Sequence, residues 1–295
     1  MPLIEIFCEI DDFCKQFEKE FDKNLLTDGF GKRNRIISLN LSEIMTICIY
    51  YHSTGYKTFK DYYEKHVKIY MTSEFHNLVS YNRMLELRKK AFLPLVIFLQ
   101  LKGLNACSGV SYIDSFSLNV SHNRRIYSHK VFKGLAQRGK TSVGWFYGFK
   151  VHIIINHRGE ITSFYITPGN VSDNNEKVLI KLTKNLFGKL FGDRGYIVNQ
   201  KLFEKLYING IHLVTKIRKN MKNILMPLSD KLGLRKRGTI ESVGGILKEG
   251  LSLEHSRHRS VLGFFIHVIS TLIAYQFRPN KPSIMGNSEL LELSI

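Results

Sequence analysis

The amino-acid sequence predicts an α/β protein in which a mixed sheet with crossover helices follows a helical N-terminal domain. Apolar residues recur at helical spacing through the first 105 residues and alternate with polar residues in several segments from residue 106 onward. A period near 3.6 residues indicates helices with one buried face, and a period of two indicates strands. With 295 residues and a hydrophobic share of 44%, the chain can bury a core.

Helix signals divide the N-terminal region into several short helices. One helix begins before "EIMTICIYY", with Asn40 or Ser42 as its cap. The stretch "SYNRMLELRKKAFLPLVIFLQLKG" begins at Ser80, divides near Pro94 and ends at Gly103, because proline and glycine interrupt helices. Two interpretations remain open: the helices read DNA as a helix-turn-helix, or they are a scaffold packed on the next domain.

Strands and helices alternate in the region after residue 106. The stretch "SYIDSFSLNV" predicts a first strand, and "GWFYGFKVHIIIN" is joined to a third by the turn "NHRG". The helix "VSDNNEKVLIKLTKNLF", the strand "KLFGD", the helix "VNQKLFEKLYING", the strand "IHLVTKIR" and the helix "TIESVGGILKEG" follow. Three antiparallel strands extended by parallel strands through crossover helices predict an RNase-H-like sheet. We therefore expect a helical domain over 1–105, an RNase-H-like domain over 106–278 and a C-terminal tail over 279–295.

The charge of the chain indicates a polyanionic partner. Lysine and arginine number 43 against 25 acidic residues, which gives a formal charge of +18. An excess of this size, spread through folded segments, favours a nucleic-acid groove over a merely solvated surface. A basic loop without any acid contains Arg124, Arg125, Lys130 and Lys133, and we expect it to follow DNA phosphates.

The cysteine pattern and the hydropathy predict a cytoplasmic protein with no membrane partner. The four cysteines form no C-x-x-C pair, which is typical of reduced thiols in the cytosol. The N-terminus carries acids where an export signal needs basic residues. The apolar run 261–277 is short for a membrane span and contains polar residues, so it predicts a buried core helix.

Three carboxylates stand out as candidate catalytic residues. Asp114 lies on the otherwise apolar face of the first strand, where an unpaired charge is expensive. Asp193 closes the strand "KLFG", at the edge where open sheets present ligands. Glu241 lies on a helix in line with Arg237, and an ordinary surface ion pair between them is the simpler alternative. For Asp193 the alternatives are a helix cap or a partner for the next arginine. By contrast, the D-x-x-E pattern at Asp173 predicts a capping box.

Divalent cations explain why three carboxylates would be brought together. Neighbouring carboxylates repel one another, and oxygen ligands suit Mg²⁺, or Mn²⁺ in its place. Two such ions about 4 Å apart can activate a water or a 3′-hydroxyl and stabilise the leaving oxygen of a phosphodiester. We therefore expect Asp114, Asp193 and Glu241 to hold two metal ions.

Several motifs in order resemble the DDE transposases of bacterial insertion sequences, specifically the insertion sequence 982 family. They are "HNRRIYSHKVFKGLAQRGKTSVGWFYGFKVHIIINHRGEI", "TPGNVSDN", "FGDRGY" and "RGTIESV". The resemblance implies an acid triad at Asp114, Asp193 and Glu241. It also implies an R-x3-E-x6-K signature in which Arg237 and Lys248 hold phosphates, although Leu234 stands where relatives have a tyrosine.

The resemblance implies a transposase that binds the ends of its element, cleaves the 3′ ends and joins them to target DNA as at least a homodimer. We place end recognition on the helix containing Asn82 and Arg83, with the basic connection 218–237 as the competing segment. Two alternatives stay open: a catalytically silent DNA-binding protein, or an RNase-H-like nuclease without strand transfer.

Overall fold

A computed structural model describes residues 2–27, 39–142, 144–217, 221, 225–254 and 258–284. The chain forms two compact units. The first contains Met1–Gly103, Glu249–Leu253 and His258–Pro279, and the second contains Leu104–Lys248, Glu254–Arg257 and Asn280–Ile295. The N-terminal segment of the first unit ends at Gly103, and this unit also includes Glu249–Leu253 and residues 258–278, which were expected in the second domain. Most of the predicted tail, residues 285–295, lies outside the described residues.

The described helices are numbered in chain order. They are α1 Leu3–Thr27, α2 Leu41–Tyr50, α3 Phe59–Tyr62, α4 Lys68–Tyr70, α5 Tyr81–Lys90, α6 Phe92–Phe98, α7 Glu176–Leu182, α8 Gln200–Ile208, α9 Leu228–Lys236, α10 Gly238–Gly245 and α11 Val261–Gln276. The described strands are β1 Val110–Ser121, β2 Gln137–Lys140, β3 Trp145–Asn156, β4 Ile161–Pro168, β5 Gly188–Gly192 and β6 Ile211–Thr215.

Helices α1–α6 and α11 form the first unit. Asn40 begins α2, and its backbone N–H donates to the Glu43 carboxylate at 2.6 Å. Ser80 caps α5 by accepting from the Arg83 backbone N–H, which confirms that predicted start. The division between α5 and α6 falls at Ala91, and Pro94 lies in the first turn of α6, where proline is tolerated. These local signals explain why the helices begin where they do.

The apolar helix α11 belongs to the core of the first unit. Every residue from Phe264 to Tyr275 except Phe265 is buried, and the hydroxyl of Thr271 donates to the His267 carbonyl at 2.8 Å. Phe98 on α6 stacks on Phe277 just after α11, with ring centroids 6.2 Å apart. No helix in the described part of the chain is long and apolar enough to span a membrane.

The second unit is built on one mixed sheet. Its strand order is β2-β3-β1-β5-β6, with β4 also paired to β3. Strand β3 runs antiparallel to β1, β2 and β4, whereas β5 runs parallel to both β1 and β6. Helices α7 and α8 provide the connections from β4 to β5 and from β5 to β6. The mixed α/β class and the predicted element order are confirmed, with β2 and α9 as additions.

Helices cover both faces of this sheet. On one face, Ile113 and Ile154 pack with buried residues of α7 and α8 in a single apolar cluster. On the other face, α9 approaches Phe191 so closely that a Cβ at Gly233 would collide with that ring. Helix α10 lies beside Phe116 of β1 on the same side. Alternate residues of β1 therefore face two different helical layers, and Asp114 faces the α9–α10 layer.

Candidate active site at the sheet edge

Asp114 lies in β1 with its side chain largely covered. Its side chain is 23% exposed, and Oδ1 accepts a hydrogen bond from the Ser115 backbone N–H at 2.9 Å. Burial raises the pKa of Asp114 to about 6, and the Arg237 guanidinium opposes that rise. The negative charges of Asp193 and Glu241 raise the pKa of Asp114 further.

Asp193 reaches the same edge because β5 is the parallel neighbour of β1. Tyr112 is paired with Phe191, and continuing that register two residues places Asp193 beside Asp114. Asp193 Oδ1 accepts from the Gly195 backbone N–H at 2.8 Å, so this carboxylate also caps the short turn Arg194–Tyr196. The simpler capping role is therefore present, and it leaves Oδ2 for another ligand.

Arg237 links two carboxylates of the predicted triad, Asp114 and Glu241. Its Nη2 lies 3.2 Å from Asp114 Oδ2, and its Nη1 lies 3.3 Å from Glu241 Oε1. The arginine side chain is 15% exposed, whereas that of Glu241 is 61% exposed. The i,i+4 pair predicted as the simpler alternative is thus real, but its guanidinium also neutralises a covered carboxylate on β1.

No group of three or more His, Cys, Asp or Glu side chains within the described ranges is arranged to hold a metal ion. Arg237 supplies the positive charge between Asp114 and Glu241 in this arrangement. The donor chemistry nevertheless fits a divalent cation, because three carboxylates at one edge provide the hard oxygen ligands that Mg²⁺ prefers.

Lys248 is engaged in an ion pair. Its Nζ lies 3.0 Å from Glu254 Oε2 and 5.8 Å from the centroid of the Phe116 ring. Glu254 also accepts from the backbone N–H of Asn119 at 3.2 Å. Lys248 therefore lies beside β1 with its charge paired, so the predicted phosphate contact would compete with Glu254.

Asp173 is a fourth carboxylate at this edge, and the predicted capping box is wrong. Helix α7 is capped by Asn175, whose Oδ1 accepts from the Val178 backbone N–H at 3.3 Å. Asp173 Oδ1 instead accepts from Ser115 Oγ at 2.6 Å and from Lys150 Nζ at 3.0 Å. Partners on β1 and β3 outcompete the local cap, and the position of Ser115 next to Asp114 was the available signal.

Tyr196 is a buried tyrosine at the end of the short turn that follows Asp193. Its side chain is 1% exposed, and burial raises the pKa of its hydroxyl. The charges of Asp173, Asp114 and Asp193 raise that pKa as well. The buried phenol remains neutral and packs in the apolar cluster that contains Ile113.

The basic loop presents its cations to solvent. Arg124, Arg125, Lys130 and Lys133 are all exposed. Within the described part of the chain, none of these four side chains forms an ion pair. The loop is anchored by the fully buried Phe132, whose carbonyl accepts from the Tyr147 hydroxyl at 3.4 Å. Its charges are therefore available to a polyanion.

The N-terminal candidates for DNA recognition belong to the first unit. Asn82 and Arg83 are exposed in the first turn of α5, and Arg83 pairs with Glu86 at 2.6 Å. Arg88, on the same helix, turns inward over the Phe59 ring at 3.9 Å and is not a surface cation. In the competing connection, residues 218–220 and 222–224 lie outside the described residues.

Carboxylates on β1, directly after β5 and on α10 make this an acidic site of the kind that suits divalent cations. Residues 104–261 match the model of the family described as Transposase DDE domain. This match covers more than half of the 295 residues, and the chain belongs to that DDE transposase family. No curated protein matches the chain significantly.

Proposed function

We propose that the protein is a transposase of the insertion sequence 982 family, with an RNase-H-like catalytic domain. It binds the ends of its element, cleaves a DNA strand at each 3′ end and joins that end to target DNA. The observations that support this proposal are that Arg237 contacts both Asp114 and Glu241, and that continuing the β1–β5 register brings Asp193 beside Asp114.

Asp114, Asp193 and Glu241 are the residues that would hold two divalent cations, Mg²⁺ or Mn²⁺. When bound, such ions activate a water or a 3′-hydroxyl and stabilise the leaving oxygen of a phosphodiester. The protein's own contribution is to hold the carboxylates in place. Asp193 is fixed by the Gly195 backbone N–H and Asp114 by that of Ser115, so neither needs to be ordered during the reaction.

The surrounding cations bind and orient DNA in this proposal. When the acids acquire another cation, Arg237 can leave its carboxylate partner and bind a phosphate instead. Lys248, which lies next to Phe116, can change its partner in the same way. The exposed loop cations attract the backbone without reading its sequence. Two element ends must be held together, so the working form is at least a homodimer. The helical unit recognises the ends through α5, and the protein acts on the nucleoid in the cytoplasm.

The test is a cleavage assay on a DNA fragment that contains the sequences flanking the gene, with Mg²⁺ or with a chelator. Asp114→Asn, Asp193→Asn and Glu241→Gln should each abolish cleavage while DNA binding and the thermal midpoint are retained. Glu204→Gln is the matched control, because Glu204 is a surface carboxylate of α8 that contacts Gln200 at 2.8 Å. This control should cleave at the wild-type rate.

Three results distinguish the proposal from its alternatives. Full cleavage by any triad variant in Mg²⁺ would refute the assignment of that residue. Cleavage by the wild type without any joined product identifies a nuclease. Specific DNA binding with no cleavage by the wild type identifies a silent DNA-binding protein.

A further inference from the structure

A cavity next to the acidic edge has no role in the function proposed above. Its volume is about 550 Å³, within the roughly 300–1,000 Å³ of small-ligand sites. Its lining includes Arg138, Lys140, Trp145, Lys150, Asp173 and Gly195. The cavity therefore combines an aromatic ring, three cations and a carboxylate.

Trp145 is the sole tryptophan of the chain, and it is exposed although it begins a core strand. Its side chain is 54% exposed. In the β2–β3 pairing, Lys140 lies opposite Trp145, and Arg138 lies two residues away on the same face. The Arg138 guanidinium is 5.3 Å and the Lys140 ammonium 5.7 Å from the ring centroid. The indole is thus flanked by two cations at the mouth of the cavity.

Two glycines allow the cavity to form. A Cβ at Gly139 would collide with the Gly169 carbonyl oxygen and would lie 2.6 Å from the Phe146 ring. A Cβ at Gly169 would lie 2.7 Å from the Gln137 carbonyl oxygen. Strand β2 can therefore approach the turn after β4 closely, and residues of that turn line the cavity together with Trp145.

The opposite wall of the cavity belongs to the acidic edge. Lys150 pairs with Asp173, and Asp173 accepts from Ser115, the residue after Asp114. Gly195 donates its backbone N–H to Asp193. The cavity therefore extends to the residues that hold Asp173 and Asp193. Because Lys150 neutralises Asp173, Arg138 and Lys140 leave the cavity with a positive charge that suits a phosphate.

We propose that Trp145 is a stacking platform for an unpaired base of the DNA strand beside the acidic edge, with Arg138 and Lys140 holding its phosphate. This inference rests on the proposed function, because it needs DNA at the acidic edge. Bases inside a duplex are already stacked on one another, so a lone exposed ring accepts a base only after it has left the stack. Aromatic platforms bind bases of any sequence, because every base has a π-face.

The first measurement uses the fluorescence of this sole tryptophan in the full chain. Oligothymidylate of about ten nucleotides, a length within known single-strand site sizes, is titrated in the presence of a chelator. Saturable quenching by oligothymidylate, and much weaker quenching by a blunt duplex of equal length, is the expected result. Binding of the oligonucleotide without any change in tryptophan fluorescence overturns the proposal.

The second measurement compares affinities for a dye-labelled oligothymidylate by anisotropy. Trp145→Leu should weaken binding by about 5- to 150-fold, the range for loss of one stacked base, and Trp145→Phe should retain most of the affinity. Tyr207→Ala is the matched control, since Tyr207 is exposed on α8, and it should bind as the wild type does. An affinity of Trp145→Leu within about two-fold of the wild type refutes the platform.

Failure of this inference is separable from failure of the proposed function. The binding measurements contain no Mg²⁺ and need no cleavage, whereas the triad is tested by cleavage alone. If Trp145→Leu binds normally while the triad variants lose cleavage, the platform is wrong and the transposase assignment stands. If Trp145→Leu loses single-strand binding while triad variants still cleave, the platform survives and the catalytic assignment fails.

Discussion

His152 provides a test of how the sheet beneath the acidic edge is held together. It lies on β3, opposite Ser115 of β1, and is fully buried. Its Nε2 lies 2.9 Å from Thr167 Oγ1, and its Nδ1 is buried without a hydrogen-bond partner among the described residues. Burial lowers the pKa of His152 to about 4, and the nearby Lys150 charge contributes in the same direction.

The size of the effect follows from linkage. In the unfolded chain, His152 takes up a proton near its ordinary pKa of about 6.5, whereas in the folded chain it does so at about 4. Between these values the unfolded chain therefore binds more protons than the folded chain. The stabilisation that comes from neutral, buried His152 is fully present above about pH 6.5 and is lost as the pH falls. The full loss is about 3 kcal/mol, and about 2 kcal/mol of it is reached by about pH 5.

The perturbation is His152→Gln, which keeps a nitrogen able to reach Thr167 but removes the titrating ring. Urea unfolding of the second unit is followed by Trp145 fluorescence at about pH 8 and at about pH 5, in the presence of a chelator. Between the two pH values, the free energy of unfolding of the wild type should fall by about 2 kcal/mol more than that of the variant. The difference at about pH 8 measures packing alone and serves as the internal control. Equal losses in the two proteins would refute the claim that His152 is held neutral by burial.

The remaining predictions concern DNA binding by the two units. Neutral substitutions at Arg124, Arg125 and Lys133 should weaken binding to all duplexes alike. They should also reduce the slope of log affinity against log salt concentration by about 0.9 for each phosphate that the loop no longer neutralises. An unchanged slope would mean that the loop is only a solvated surface. Replacing Asn82 or Arg83 in the full chain should weaken the binding free energy for the element's own ends by about 1–3 kcal/mol and that for random DNA by much less, as measured by competition binding. Equal losses on both DNAs would place recognition outside α5.

Local signals in the sequence were sufficient for most elements of the sheet. Strand β1 alternates apolar and polar residues from Phe116 onward, whereas β3 is a mostly apolar run that is buried on both faces, and both patterns are typical of strands. Strand β2 has the sequence QRGK, which contains no apolar residue and so carries no such signal. It is held by its pairing with β3, which only the folded chain reveals.

The acidic edge was predictable only in part. Asp114 is conspicuous in sequence because it is a charge on an apolar face, and Asp193 because it closes a strand. The role of Asp173 depends on Ser115 and Lys150, which are remote in sequence, so a local capping pattern was misleading. Helix α11 is apolar on nearly all sides, and such a helix carries no directional signal to show which unit it completes.

The division of the first unit into separate chain segments has a consequence for biosynthesis. Helix α11 packs with α2, α5 and α6, yet it is translated only after Leu104–Lys248, the main segment of the sheet unit. At about 5–20 residues per second, α11 follows α6 by roughly 10–30 s, during which the apolar partners of α11 lack their cover. The segments that carry the three carboxylates are thus synthesised before the helical unit that contains Asn82 and Arg83 can complete its core. A message truncated before α11 would yield a chain that contains all three carboxylates but lacks a core helix of the first unit.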